Sequence, residues 1–491
     1  MKKSSPTNGA SPNVGSSVGQ KTSGSGGATS KSEGGAIGDG TGGGGEVSTP
    51  RADVTLPKAE RRRRGSNSAR THTPKKMPDL PKLKEVSVAQ RQEVFRQKLL
   101  LCETRFDFNN PMTDSARVAA EIKRNTLNEL VEFVSSPSSQ KFFTDSMIPR
   151  VVSMVEANIM RALPAPDDEY NPEEDAPMFE AAWPHLCIVY EFLLRFIMSP
   201  DVSAKAAKAH VSHHFCERLV DLFDTEDHRE RDYLKNILHR IYGKFMSHRS
   251  FIRKTISNVF YKFVYEDEKH NGIGELLEIL GSIINGFALP LKKEHLAFMD
   301  QALMPLHKPR CVSLYHRQLC YCVTQYIEKD MNTGVAIVKK LLSYWPWSSS
   351  IKQILLLDEL EEIMELMTLE VLEKDGVLPL LLQTLSRCLA SVHFQVAERT
   401  LLIWQNEHLI TDGLLKPQHS GVVLPHILPA LLDGRGDWNK NVEGLARCVL
   451  EHYQSTDIEL YDECKKQYDQ NKRKEAVVRQ KRDALWNQLA K

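Results

Sequence analysis

The sequence predicts an all-α fold: an α-solenoid of degenerate HEAT-like helical-hairpin repeats behind a disordered N-terminal tail. Three observations carry that expectation. Apolar residues recur at helical spacing from about residue 90 onward, with very few alternating runs of the strand kind. Short connections carrying Pro, Gly, Asn or Asp separate most of these stretches, as at Ser199, Pro200, Asp201 and at His270, Asn271, Gly272. A helix pair returns roughly every 40 residues, the signature of stacked hairpin repeats. No single consensus fits them all, so the repeats are degenerate. A large globular helical domain is the competing architecture, and the even spacing favours the solenoid.

The chain divides into a tail over 1–90, the solenoid over 91–456 and a charged, helical C-terminal extension over 457–491. Residues 1–50 hold 14 of the 27 glycines and little apolar surface, too little to offset the entropy of ordering. Residues 51–90 shift to Pro, Lys and Arg, with four arginines at 61–64. They read either as a solvated basic linker or as a nuclear-import signal or phosphorylation-tuned arm. Helical stretches then follow at 116–134, 147–160, 179–197, 204–223, 231–246, 249–265, 274–285, 294–304, 311–328, 333–342, 351–367, 377–390, 393–404, 417–432 and 438–453. In the first, Val118, Ile122, Leu127, Leu130 and Val134 form the stripe; in the second, Ile148, Val151, Val155 and Ile159. The C-terminal extension carries KRK at 472–474 and RQKR at 479–482. It reads as a solvated helix, with a basic sorting signal as the alternative.

Lys and Arg number 64 against 63 Asp and Glu, a net charge of +1. Such a balance gives no global drive toward nucleic acid or an anionic membrane, so any electrostatic function must be local. The most apolar long window, 181–198, contains Pro184, His185, Glu191 and Arg195, which argues against a membrane span. Nine cysteines without zinc-ribbon spacing point to a reducing, cytoplasmic setting, with the basic runs leaving nuclear entry open. Cys311, Cys320 and Cys322 lie near His307 and His316 in the sequence. Because Cys320 and Cys322 diverge on a helix, buried structural thiols are favoured over a metal site.

Signatures of catalysis are missing: no phosphate loop, no H-E-x-x-H and no nucleophile elbow. His239 and Arg240 open like a kinase H-R-D triplet, but Ile241 stands where the base belongs. Gly272, Ile273, Gly274 is better explained as a turn than as a phosphate cradle. The expectation is a binding protein without catalytic residues, cofactor or metal.

The richest segment is 226–295. Leu234, Leu238, Ile241 and Phe245 follow i, i+4, i+7, i+11, a packing stripe, while Lys235, His239 and Tyr242 lie one step round the helix. Arg249 and Arg253 share the next helix, and Lys292 and His295 follow. Convergence of these cations with Tyr242 suits carboxylate or phosphate recognition, and Ile279 and Ile283 could form an apolar floor beside them. An extended peptide with aliphatic anchors and an acidic residue is the expected ligand. One connection breaks the helical rhythm: PAPDDEYNPEEDAP at 164–177, with Asp167, Asp168, Glu169, Glu173, Glu174 and Asp175. Its prolines exclude a helix, leaving either a solvated linker or an acidic loop that docks on a basic partner surface or competes with acidic ligands for the basic lining.

These same residues resemble a known family. LHRIYGKF at 238–245, IRK at 252–254, HNGI at 270–273 and ELLEILGSIINGFALPLK at 275–292 are similar to the B-prime regulatory subunits of protein phosphatase 2A, as are EAAWPHL at 180–186 and LLSYWP at 341–346. The resemblance covers about 80–468. It implies a horseshoe of HEAT-like repeats that joins a scaffold subunit and a catalytic subunit and directs the phosphatase to substrates. It also implies a groove for Leu-x-x-Ile-x-Glu motifs. On that resemblance His239, Arg240 and Tyr242 shape a leucine pocket, and Ile279 and Ile283 with Tyr242 receive the isoleucine. Arg253 and His295 meet the glutamate, while Lys235, Arg249 and Lys292 attract further acidic or phosphorylated positions. The acidic loop is implied to lie toward the catalytic subunit. A general helical-repeat adaptor or transport receptor for acidic peptides is the alternative function.

Overall fold

The computed structural model describes residues 77–136, 142–164, 171–433 and 439–489. The glycine-rich and basic tail through residue 76, and with it the arginines at 61–64, lies outside them, as do Asp167, Asp168 and Glu169. Among the described residues the secondary structure is helical throughout, in twenty α-helices. The first ten are α1 Val88–Cys102, α2 Asp114–Ser135, α3 Ile148–Ile159, α4 Trp183–Met198, α5 Ala204–Ala207, α6 His213–Asp221, α7 His228–Lys244, α8 Arg249–Lys262, α9 Ile273–Asn285 and α10 Lys293–Phe298. Then come α11 His316–Lys329, α12 Thr333–Ser343, α13 Ser350–Glu365, α14 Leu369–Leu372, α15 Val377–Leu389, α16 Phe394–Leu402, α17 Glu407–Thr411, α18 Ser420–Asp433, α19 Lys440–Thr456 and α20 Ile458–Leu489.

The long helices stack in two rows, and this makes the repeat visible. In one row α2, α4, α7, α9, α11, α13, α16 and α19 each pack on the next. In the other, α1 meets α3, α6 meets α8, and α12, α15, α18 and α20 follow one another. Polar bonds between successive repeats keep the same period: Arg231 with Glu275, Lys235 with Glu278, Lys340 with Asp300, His316 with Glu359 and Arg399 with Asp358 all join residues 40 to 44 apart. A solenoid with the expected spacing is the result. The predicted stripe of α7 is core, with Leu234, Leu238 and Ile241 at 0% exposure and Phe245 at 3%.

Local chemistry sets the helix starts. Asp227 caps α7 by accepting the Arg229 N–H at 3.1 Å, which begins that helix three residues before the apolar stripe predicts. Pro184 occupies the first turn of α4, where a missing N–H costs nothing, so the helix starts at Trp183 rather than at 179. The stretch expected as one helix over 204–223 is broken into α5 and α6. Ser212 ends the interruption by accepting the Phe215 N–H at 3.2 Å. The expected helix over 294–304 runs on from α10 into a wide π turn, Met299–Leu303, and a tight turn, Met304–His307. Gly272 is a packing glycine: a Cβ there would stand 2.4 Å from the Phe223 carbonyl oxygen, which supports its reading as a structural turn.

A buried ionic network seats α7 on its neighbours. Arg161 donates from Nη1 and Nη2 to the two oxygens of Glu230 at 2.6 and 2.7 Å, and Tyr190 OH donates to Glu230 at 2.6 Å. Glu230 is fully buried, so its negative charge is tolerated only because this fork and hydroxyl surround it. The network fixes the rotation of α7, and thereby which stripe of it faces outward.

Candidate functional site

The expected site residues lie on α7, α8, α9 and α10, but they do not form one cluster. Arg253 on α8 is the centre of the first group. Its Nη1 donates to Tyr242 OH at 3.0 Å and its Nη2 to Glu294 Oε1 at 3.1 Å. Arg249 donates from Nε to the Tyr242 carbonyl at 3.0 Å, with its guanidinium 5.2 Å from the Tyr242 ring centre. Tyr242 is therefore braced by two arginines, one on its hydroxyl and one on its backbone and ring. His295 on α10 stacks on Phe287 with centroids 3.7 Å apart and planes within 5°. Burial, and then the Arg253 charge, lower the His295 pKa, so its imidazole is neutral at physiological pH. Its Nε2 is 3.4 Å from Glu294 Oε1, and its Nδ1 is buried without a hydrogen-bond partner among the described residues.

Lys235 forms a second group, donating to Glu278 at 2.6 Å and to Asp232 at 3.2 Å. Burial works against its ammonium, yet these two carboxylates outweigh it and raise the Lys235 pKa. His239 shares a 3.0 Å hydrogen bond with Ser282 of α9. Desolvation and neighbouring Arg240 lower the His239 pKa, so this residue too is neutral. Arg240 is exposed and, with His239, lines an open hollow of about 440 Å³ together with Met198, Pro200, Gly243 and Lys244 among others. Ile279 and Ile283 are 2% and 5% exposed and belong to the core under α9. Lys292 is exposed at the start of α10.

Sequence reasoning missed the acidic half of this surface: Asp232, Glu278 and Glu294 each hold a cation it had singled out. Charge spacing within one helix carries part of the signal, since Asp232 precedes Lys235 by three residues. Glu278 and Glu294 meet their partners across repeats, where sequence spacing says nothing.

In the acidic loop Ser313 donates to Glu173 at 2.5 Å, and the Asn171 N–H donates to Asp175 at 2.9 Å, so its second half is tied to the solenoid and to itself. Cys320 and Cys322 diverge as helical spacing requires, Cys320 toward Glu362 and Cys322 toward the Leu277 carbonyl. His307 and His316 both turn to Glu359, each with a contact at 3.1 or 3.0 Å. All nine cysteines are free thiols. Among the described residues no helix is long and apolar enough to cross a membrane.

Comparison with known proteins adds identity to this geometry. The B56 family of protein phosphatase 2A regulatory B subunits matches residues 80–491, starting where the sequence resemblance starts and running past Tyr468 to the last residue. The 57 kDa B' beta regulatory isoform of serine/threonine protein phosphatase 2A from Arabidopsis thaliana is 46% identical over 420 residues, covering 84% of this chain and 82% of that one. The 59 kDa B' eta isoform of the same plant is 47% identical over 417 residues, covering 84% and 80%. The 56 kDa delta isoform of Homo sapiens is 43% identical over 441 residues, covering 88% and 72%. The chain belongs to the B56 family and is a non-catalytic regulatory subunit of protein phosphatase 2A.

Proposed function

We propose that the α7–α10 surface binds short acidic motifs of the Leu-x-x-Ile-x-Glu type and so brings substrate proteins to a phosphatase assembled with a scaffold and a catalytic subunit. The observation that carries this reading is Arg253. It is a guanidinium only 18% exposed, locked by Tyr242 from one side, and its other edge already holds a carboxylate, that of Glu294 at 3.1 Å. Such a fork suits planar acids, and a partly desolvated pair is worth more than an exposed one. His239, bonded to Ser282 of α9, stands beside the helix that carries Ile279 and Ile283, where aliphatic anchors would lie with Tyr242, and the hollow lined by His239 and Arg240 offers an apolar seat at Met198 and Pro200. Lys235, Arg249 and Lys292 would draw flanking acidic or phosphorylated positions. The acidic loop, with Glu173, Glu174 and Asp175, would face the partner subunits. Neither nucleic acid nor membrane is a partner on this reading, and the site of action is the cytoplasm, with the nucleus reached through the basic runs.

The test is calorimetry of a motif peptide with the full chain and with Arg240→Ala and His295→Ala. Binding should weaken markedly in both while far-UV circular dichroism stays unchanged. Unaltered affinity in both variants sinks the groove assignment. Capture from lysate should return stoichiometric scaffold and catalytic subunits; their absence would remove the holoenzyme part of the proposal.

A further inference from the structure

The cation meant for a ligand's acid is already in contact with an acid of the chain itself. Glu294 reaches Arg253 Nη2 at 3.1 Å and stands 3.4 Å from His295 Nε2, the two residues that would meet the motif glutamate. Its side chain is 56% exposed, against 18% for Arg253 and 9% for His295, so the carboxylate approaches them from the solvent side, the side from which a ligand must come. The pattern repeats at the other end of the surface, where Glu278 occupies Lys235 at 2.6 Å.

We propose that Glu294 is an internal competitor that sets the affinity and the selectivity of the groove, an inference that rests on the motif-binding reading above. An incoming carboxylate has two routes. It can displace Glu294, which forfeits the existing pair, or it can sit beside Glu294 on the same guanidinium, which brings two negative charges together in a partly desolvated place. Both routes weaken binding of an acid, and neither touches an uncharged side chain at the same position. An isolated surface glutamate on a passing protein therefore gains little. A motif whose leucine and isoleucine are also seated presents its carboxylate to Arg253 at high local concentration, so the exchange adds to contacts already made. Glu294 thus acts as a filter that makes the acidic contact depend on the apolar ones. The exchange is cheap because the Glu294 carboxylate itself is more than half exposed, and on a six-residue helix it can swing into solvent without disturbing the core.

The experiment is calorimetry on the full chain with two peptides that differ only in the last motif residue, Leu-x-x-Ile-x-Glu and Leu-x-x-Ile-x-Gln, against wild type, Glu294→Gln and Arg253→Ala. Glu294→Gln should tighten the Glu peptide by about two- to fivefold, the range of an exposed ion pair, and leave the Gln peptide where it was. The gain should shrink in about 0.5 M salt. If Glu294→Gln leaves the Glu peptide unchanged or weakens it, while Arg253→Ala abolishes the preference for Glu over Gln, the competitor role is overturned and the groove stands. If Arg253→Ala has no effect on either peptide, the groove reading falls and takes the competitor role with it.

Discussion

The joint between α11 and α13 is held by a buried charge whose removal has a calculable effect. Glu359 is fully buried and accepts from His307 Nε2 at 3.1 Å and His316 Nε2 at 3.0 Å. Burial alone would raise its pKa, but His307 and then His316 outweigh that and hold it at about 2, against 4.5 for a free glutamate. The same pairing, working against burial, raises the His307 pKa. The two shifts describe one interaction from its two ends and are counted once: a drop from 4.5 to about 2 corresponds to about 3 kcal/mol. For Glu359 the folded pKa is depressed, so its contribution is present above about 4.5 and fades as pH falls toward 2. For His307 the folded pKa is raised, so the contribution is present below 6.5 and fades as pH rises through that raised value. Glu359→Gln keeps the shape and removes the charge. Hydrogen exchange of the α11 and α13 amides, corrected for intrinsic rate, should then speed up on the order of a hundredfold near pH 6, with the difference closing in both acid and alkali. A difference that is flat across pH would refute the ion-pair account. So would protection that survives the substitution.

Two further outcomes follow from the same geometry. Glu230→Ala leaves the Arg161 guanidinium buried without its partner and should lower thermal stability by about 3–5 kcal/mol, whereas Arg161→Met combined with Glu230→Leu should recover most of it; equal losses in single and double variants would contradict a charge-based role. A phosphoserine beside the motif should tighten peptide binding at low salt, and Lys292→Ala should erase more of that gain than Lys235→Ala, because Lys235 must first release Glu278 at 2.6 Å. Salt-independent affinity would remove both lysines from the account.

The rows of helices were legible because one apolar face per helix must be buried, and that face repeats every three or four residues. Leu234, Leu238 and Ile241 show it. Interruptions were less legible. The break before α6 depends on a single serine hydroxyl, and the early start of α7 on one aspartate, both short-range hydrogen bonds that a periodic stripe does not register. Partners across the solenoid were illegible. Arg161 finds Glu230 across 69 residues of chain, and His307 finds Glu359 across 52, because the register of stacked repeats decides who meets whom. For the same reason the sequence exposes the cations of the α7–α10 surface and hides Glu278 and Glu294 that hold them. The resemblance groups Arg240 with His239 and Tyr242; Arg240 lines the hollow beside α4 with His239, while Tyr242, about 200° further round α7, meets Arg253.

The burial of Ile279 and Ile283 bears on where motif affinity would come from. At 2% and 5% exposure they leave little apolar surface of their own for an aliphatic anchor. Full burial of one such side chain is worth about 1.5–3 kcal/mol, and two anchors supply about 3–6. A micromolar complex needs about 8 kcal/mol net, after the freedom lost on association is met. On the proposed motif-binding reading the apolar contacts alone would fall short, and the carboxylate at Arg253 would supply part of the remainder. On the same reading Glu294 contests that guanidinium, and an exchange worth under about 1 kcal/mol there would shift motif affinity by up to about fivefold.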